Sequence, residues 1–211
     1  MRIMLSVALT VAFGFMVSTA QAGEKGGFRK LFNGKNLDGW KIFMKNKKAN
    51  GEEAISVEDG IIKVSGKGGN GFFYTEKPYS NYVIRYTWSY PKDQPKGTTM
   101  NSGFLMHIQE PLKVWPKSVE PQCRYKDHGK IYFIGSKGTQ KFDMKAQKKA
   151  LKPSHEWNTT EVVANGDGSF EVRINGTLVN SGTSNLKSGP IGFQAEGARI
   201  HFKEILIKNI D

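Results

Sequence analysis

Apolar and polar residues alternate along much of this chain. In residues 82–90 the even positions Tyr82, Ile84, Tyr86, Trp88 and Tyr90 are aromatic or aliphatic, and the odd ones are mixed and partly polar. A period of two belongs to a strand with one buried face. Residues 54–64 read as a hairpin around Asp59-Gly60, because glycine takes a positive φ without a Cβ clash. Asn175-Gly176 turns a second hairpin between 169–174 and 177–180. The polar turn 165–168 separates that hairpin from a strand at 157–164. Further strands are predicted at 101–109, 119–125, 130–134, 190–196 and 199–209. The stretch 31–40 carries two turn signals around apolar anchors. Residues 66–71 are glycine-rich but lack GxGxxG in a strand-to-helix setting, so they read as a loop rather than a phosphate cradle. Residues 136–153 are lysine-rich and irregular, with one helical turn near 145–149. About a dozen short strands without βαβ alternation or internal repeats predict an all-β fold, an antiparallel β-sandwich of jelly-roll type.

Composition narrows the picture. The chain has 211 residues, 38% hydrophobic and 24% charged, which excludes a disordered or membrane-embedded chain. Met1-Arg2, an apolar run at 3–17 and Ala20-Gln21-Ala22 form the pattern of a secretory signal cut after Ala22. The run is shorter than the ~18 residues of a spanning helix, so no transmembrane anchor is expected. Residues 23–211 are then one exported domain, secreted or periplasmic.

The formal net charge is +12. The lysines are scattered, with small groups at Lys45, Lys47 and Lys48 and at Lys145, Lys148 and Lys149. Scatter is a solvated surface rather than a phosphate track, so nucleic acid is not expected as a partner. A general attraction to acidic polysaccharide or anionic membrane follows more readily. Cys123 is the only cysteine; it rules out an intrachain disulfide and a CxxC motif, and reads as a buried inert thiol.

Candidate chemistry lies where polar residues share a strand face. In 119–125, Glu120, Gln122 and Arg124 fall on one side and Val119, Pro121, Cys123 and Tyr125 on the other. In the preceding strand Asn101 and His107 share a parity. Gln194 and Glu196 repeat the pattern near the C-terminus. Paired strands would gather these groups on one sheet face, either a solvated surface or a groove. Trp115 lies in a Val-Trp-Pro-Lys loop between two of these strands. It reads equally as a platform for a pyranose face, with Lys117 in reach of an oxygen, or as a plug at the core's edge like Trp40, Trp88 and Trp157.

Asn101-Ser102-Gly103-Phe104-Leu105 followed by Val114-Trp115-Pro116-Lys117-Ser118-Val119-Glu120-Pro121-Gln122 resembles the 3-keto-disaccharide hydrolase domain family. The opening Leu31-Phe32-Asn33-Gly34-Lys35-Asn36-Leu37-Asp38-Gly39-Trp40 is similar to that family's N-terminal signature. Residues 156–161, Ile174-Asn175-Gly176 and 189–197 match its later blocks. After the Asn-Ser-Gly strand many members carry arginine, where this chain has Met106-His107. The resemblance covers roughly 28–210. It implies a concanavalin-like lectin/glucanase jelly roll acting on oxidised disaccharides or glycosides, with a separate sugar 3-dehydrogenase upstream to make the ketone.

Cleavage of a 3-keto sugar needs a base for the proton on carbon 2, a positive group for the enolate oxygen and an acid for the leaving oxygen. It does not need the carboxylate pair of ordinary glycosidases. On this reading Glu120 or His107 is the base, and Arg124, Lys117 or a bound cation stabilises the enolate. Asn101, Gln122 and Gln194 hold hydroxyls. Glu196 acts as acid or holds a ring hydroxyl. His128, beside Asp127, is a second acid/base candidate or a turn histidine. His107, Glu120, His128 and Glu196 show no HxxxH or HExxH spacing, so the metal set is unassigned, although convergence in space would suit calcium or manganese. The competing readings are a non-catalytic, lectin-like sugar-binding module and an envelope structural protein.

Overall fold

The strand with the clearest alternation becomes the middle of the larger sheet. In the computed structural model, which describes residues 27–210, Tyr82, Ile84, Tyr86 and Trp88 of β6 (Tyr82–Ser89) are fully buried. Two long strands flank it. On one side lies β11 (Asn158–Ala164), on the other β15 (Ile200–Asn209). Beyond β11 come β12 (Ser169–Ile174), β13 (Thr177–Ser184) and β10 (Gly138–Phe142). Beyond β15 come β4 (Ile61–Val64) and β3 (Ile55–Glu58), with the short β1 (Arg29–Lys30) also paired to β15. All pairings are antiparallel. Both predicted hairpins form: Asp59-Gly60 and Asn175-Gly176 take positive φ at both positions, the backbone that matches the twist of the flanking strands.

The second layer is β2 (Trp40–Met44), β5 (Gly71–Thr75), β14 (Gly192–Ala195) and β7 (Phe104–Leu105), in that order. A further pair, β8 (Ser118–Pro121) with β9 (Ile131–Ile134), continues it. Isolated bridges Gly103↔Gln122 and Met106↔Val119 join the two parts. Met106 and Val119 exchange both backbone hydrogen bonds, at 2.7 and 3.0 Å. Phe73, Phe104, Phe193, Val119 and Cys123 face inward and pack on Tyr86, Trp88 and Phe202 of the larger sheet. This aromatic core between two sheets is an antiparallel sandwich, as the alternation predicts.

Local departures have local causes. β5 follows directly after the glycine-rich loop and is buried on both faces, so it lacks the alternation that marks a half-exposed strand. β10 occupies part of the lysine-rich stretch read as irregular. The helical turn near 145–149 is α2 (Met144–Ala150), capped by Asp143, whose side chain accepts from Ala146 N at 2.9 Å. A shorter helix, α1 (Gly51–Ala54), is capped by Asn50 in the same way. No helix among the described residues is long and apolar enough to cross a membrane. The predicted signal sequence, 1–22, lies outside the described residues.

Candidate functional site

Strand register decides which side chains share the outer face of the smaller sheet. Gly103 accepts from Gln194 N at 2.8 Å on one side and bridges Gln122 on the other. Two residues along each strand, Glu120 is registered opposite Tyr132. Asn101, Gln122, Gln194 and Glu196 therefore come to one surface with Glu120. Their chain neighbours Ser102, Cys123, Phe193 and Ala195 turn inward and are buried.

This face is covered rather than open. Phe72, Leu105 and Ile108 form a second apolar cluster here, with Phe43, Tyr74, Leu112 and Ile134 against it. Leu112 belongs to a loop that leaves the sheet at Gln109 and returns at Lys117, where Gln109 N donates to Lys117 O at 2.9 Å. That loop folds back over the face and carries Trp115 to the polar end of the site.

Glu120 is 5% exposed. A β-carbon built on Gly103 would lie 2.2 Å from Glu120 Oε1 and 2.1 Å from Gln194 Oε1, so the absent side chain of Gly103 makes the space in which both groups sit. Burial, reinforced by the negative charges of Glu196 and Asp127 and opposed by Arg124, pushes the Glu120 carboxyl up to about 8. Near neutral pH it holds a proton. Gln194 Oε1, at the same gap above Gly103, is a buried acceptor without a partner.

Glu196 is held from two sides. Asn101 Nδ2 donates to its Oε2, and Trp115 Nε1 donates to its Oε1 at 2.7 Å. Trp115 is 50% exposed and does not plug the core; its indole stands at the rim beside the carboxylate. Asn101 Oδ1 is buried without a partner. Arg124 is fixed by Asp127, with Nε to Oδ1 at 2.7 Å and Nη2 to Oδ2 at 2.6 Å, and by Tyr132 OH at 3.3 Å. Burial pushes the Asp127 carboxyl upward, but the two bonds from Arg124 outweigh it and leave the group below the usual carboxylate range. Gln122 Oε1 accepts from Arg124 N at 2.8 Å, so one end of that amide anchors the turn that carries Arg124.

Two histidines and one lysine do not join this cluster. His107 shares the parity of Asn101 but sits at φ 57°. The left-handed backbone breaks the alternation and turns the ring into the core, edge-on to Tyr82, with Nδ1 3.1 Å from Leu186 O. His128 is also in the core, stacked 4.3 Å from Trp88, with Nε2 2.7 Å from Thr160 Oγ1. Burial lowers both imidazoles to about 4. Neither ring reaches the face that carries Glu120. Lys117 is exposed where the loop rejoins β8. Cys123 is buried against Tyr86 OH at 3.5 Å, and burial pushes its thiol up to about 12, an inert group.

Asp127 and Tyr132, which hold Arg124, are neighbours that the alternation alone does not single out. In β9 Ile131 turns inward and Tyr132 outward, which puts Tyr132 on the face of Glu120. Among the described residues no group of three or more His, Cys, Asp or Glu side chains gathers around a point that a metal could fill. The nearest set with hard-cation chemistry is the oxygens of Glu120, Glu196, Asn101 and Gln194.

The comparisons agree with this architecture. Residues 27–208 match the family model of the 3-keto-alpha-glucoside-1,2-lyase-like domain. The chain belongs to that family. A structure from Parabacteroides distasonis ATCC 8503 described as a "putative glycosyl hydrolase" is 25% identical, with a TM-score of 0.63 over 87% of this chain and 94% of that one. A second from the same organism is 21% identical, again at 0.63, over 87% and 99%. The carbohydrate-binding module CBM66 from Bacillus subtilis shares the fold at a TM-score of 0.51 and 10% identity, over 81% and 96%. No curated protein sequence matches the chain. Membership of the 3-keto-alpha-glucoside-1,2-lyase-like family places the buried Glu120 and the Trp115–Glu196 pair on a scaffold whose solved neighbours bear carbohydrate-related descriptions.

Proposed function

We propose that this chain is an exported enzyme that cleaves 3-keto-glycosides or 3-keto-disaccharides by elimination, with Glu120 as the acid/base. Family membership supports the substrate class. The observation that carries the residue assignment is the buried Glu120 carboxyl, set against Gly103 and Gln194 with its proton affinity raised to about 8. A carboxyl poised near working pH suits proton transfer in both directions.

In this reading the ionised fraction of Glu120 takes the proton from carbon 2 of the keto sugar. The electron pair moves onto the ketone oxygen as an enolate. Arg124, oriented by Asp127 and Tyr132, supplies positive charge for that oxygen. The carbonyl re-forms, the C1–O bond breaks, and Glu120 returns its proton to the departing oxygen. The product is an enone, and water added across it completes net hydrolysis. Gln194 and Asn101 have unpartnered buried oxygens that accept sugar hydroxyls, Glu196 holds a ring hydroxyl, and the Trp115 indole covers the pyranose face. An oxidoreductase that oxidises carbon 3 must act before this step. The leader-like start of the chain supports export.

The half-exposed Trp115 beside Glu196 equally suits a sugar-binding module without turnover. Incubation with 3-keto-glucosides and 3-keto-trehalose separates the two. Product release that falls about 10²–10⁴-fold in Glu120→Gln, with an unchanged fold, supports the lyase reading. Tight sugar binding with no product from any keto sugar overturns it in favour of the binding module.

A further inference from the structure

Beside the candidate site lies a hollow of about 610 Å3, lined by residues 124–127 after β8, by β9 and by α2. Its wall includes Arg124, Lys126, Lys130, Tyr132, Met144 and Lys148. Tyr132 is the registered neighbour of Glu120, and Arg124 extends from the same face. The hollow therefore adjoins the face that carries Glu120, with Tyr132 and Arg124 common to both.

The charge here is one-sided. Asp127 is the only acidic residue of the wall, and both of its oxygens are engaged by Arg124 and Tyr132. Among the described residues no carboxylate lies within salt-bridge distance of Lys126, Lys130 or Lys148. Lys130 stands over the Tyr132 ring, its Nζ 5.5 Å from the centroid. The apolar surface is equally specific. Four large apolar side chains stand exposed among the described residues, and two of them, Tyr132 and Met144, line this hollow. A ring of cations around apolar platforms fits a ligand with a flat carbon face and a negative substituent.

We infer that this hollow is a subsite for an anionic sugar unit, a pyranose bearing a carboxylate or a sulfate ester. Resting on the proposed lyase reading, the reacting keto ring lies at Glu120 and the departing unit is the charged one. The lysines bind it through their ammonium groups, Tyr132 and Met144 cover its ring, and Arg124 is shared between the two units.

The test uses the full chain and three probes: methyl β-glucoside, methyl β-glucuronide and methyl β-glucoside 6-sulfate. Binding is followed by calorimetry or by NMR shifts at Tyr132 and Met144. One or both anionic probes are expected to bind about tenfold more tightly than the neutral one, an advantage that shrinks with added salt. The triple variant K126Q/K130Q/K148Q loses that advantage, whereas K45Q/K47Q/K48Q, on a remote loop, keeps it. Glucuronide preference alone assigns a carboxylate, sulfate preference alone a sulfate ester. Equal binding of all three probes, or equal weakening by both triple variants, overturns the inference. Turnover of neutral 3-keto-glucosides is measured separately. Turnover without anion preference leaves the lyase reading standing and removes the subsite; anion preference without turnover of any keto sugar does the reverse.

Discussion

Glu120 Oε1 stands 2.2 Å from the point where a side chain on Gly103 would begin. Real Cβ contacts are never that short, so glycine at 103 is a condition for the carboxyl's position. Gly103→Ala forces Glu120 and Gln194 aside together. The expected cost is about 1–3 kcal/mol of stability from overpacking, with a larger relative loss of turnover. Denaturant unfolding alongside kinetics checks this, and an alanine variant with wild-type activity would sink the arrangement.

The raised proton affinity of Glu120 makes stability depend on pH. Between the ordinary 4.5 and about 8 the folded chain keeps a proton that the unfolded chain has released. Its contribution is thus fully present below 4.5 and lost as pH rises to 8, at up to about 1.4 kcal/mol per pH unit. Melting temperature should fall from pH 7 to 9 in the wild type and stay nearly flat in Glu120→Gln. Activity should climb over the same range, with an inflection near 8. Parallel melting curves for the two proteins contradict this.

His128 has the opposite pH sign and no role in the chemistry proposed. Its imidazole is held neutral in the fold, lowered to about 4 by burial. The unfolded chain binds a proton below 6.5, so stability is lost as pH falls from 6.5 to 4. His128→Ala removes the stack on Trp88 and one of the two partners of the Thr160 hydroxyl, at a cost of about 2–4 kcal/mol. Acid unfolding should become shallower, with His107 and His201, whose imidazoles burial also lowers, contributing to the remaining slope. Turnover at 25 °C should persist while the chain is folded; its loss in a folded variant would return His128 to the reaction.

Trp115→Phe separates the indole's two jobs. The ring face survives, but the 2.7 Å bond to Glu196 is gone. KM should rise several-fold, with a smaller effect on kcat. Trp115→Ala removes both contributions and should weaken sugar binding by ~1–2 kcal/mol. Titration of substrate or product into each variant measures the difference.

How much of this was legible in the sequence follows from where the period of two holds. Through 119–124 the alternation is right: Val119 and Cys123 are core residues, and Glu120, Gln122 and Arg124 face the site. It fails at His107 because one positive φ reverses the direction of the side chain, and hydropathy carries no sign of that. It fails at His128 because an acidic neighbour, Asp127, suggested a polar setting, while the ring's partners, Trp88 and Thr160, lie more than thirty residues away in sequence. β5 was missed because a strand buried on both faces does not alternate. The closeness of Gly103 to Glu120 was not legible at all, since it depends on the register between strands.

The ribbon that carries Gln194 also carries Phe193, which stacks at 5.3 Å on Phe73 and 4.7 Å from Phe202 in the centre of the molecule. Consecutive residues thus belong to the aromatic core and to the wall of the proposed site. Swapping the core aromatic for something smaller would tilt the amide and Glu196 with it, so the scaffold leaves little freedom there for drift toward new sugars. Adaptation has an easier route through the arm between Gln109 and Lys117 and through the lysine-bearing helix, where substitutions disturb neither the aromatic stack nor the acid at its back.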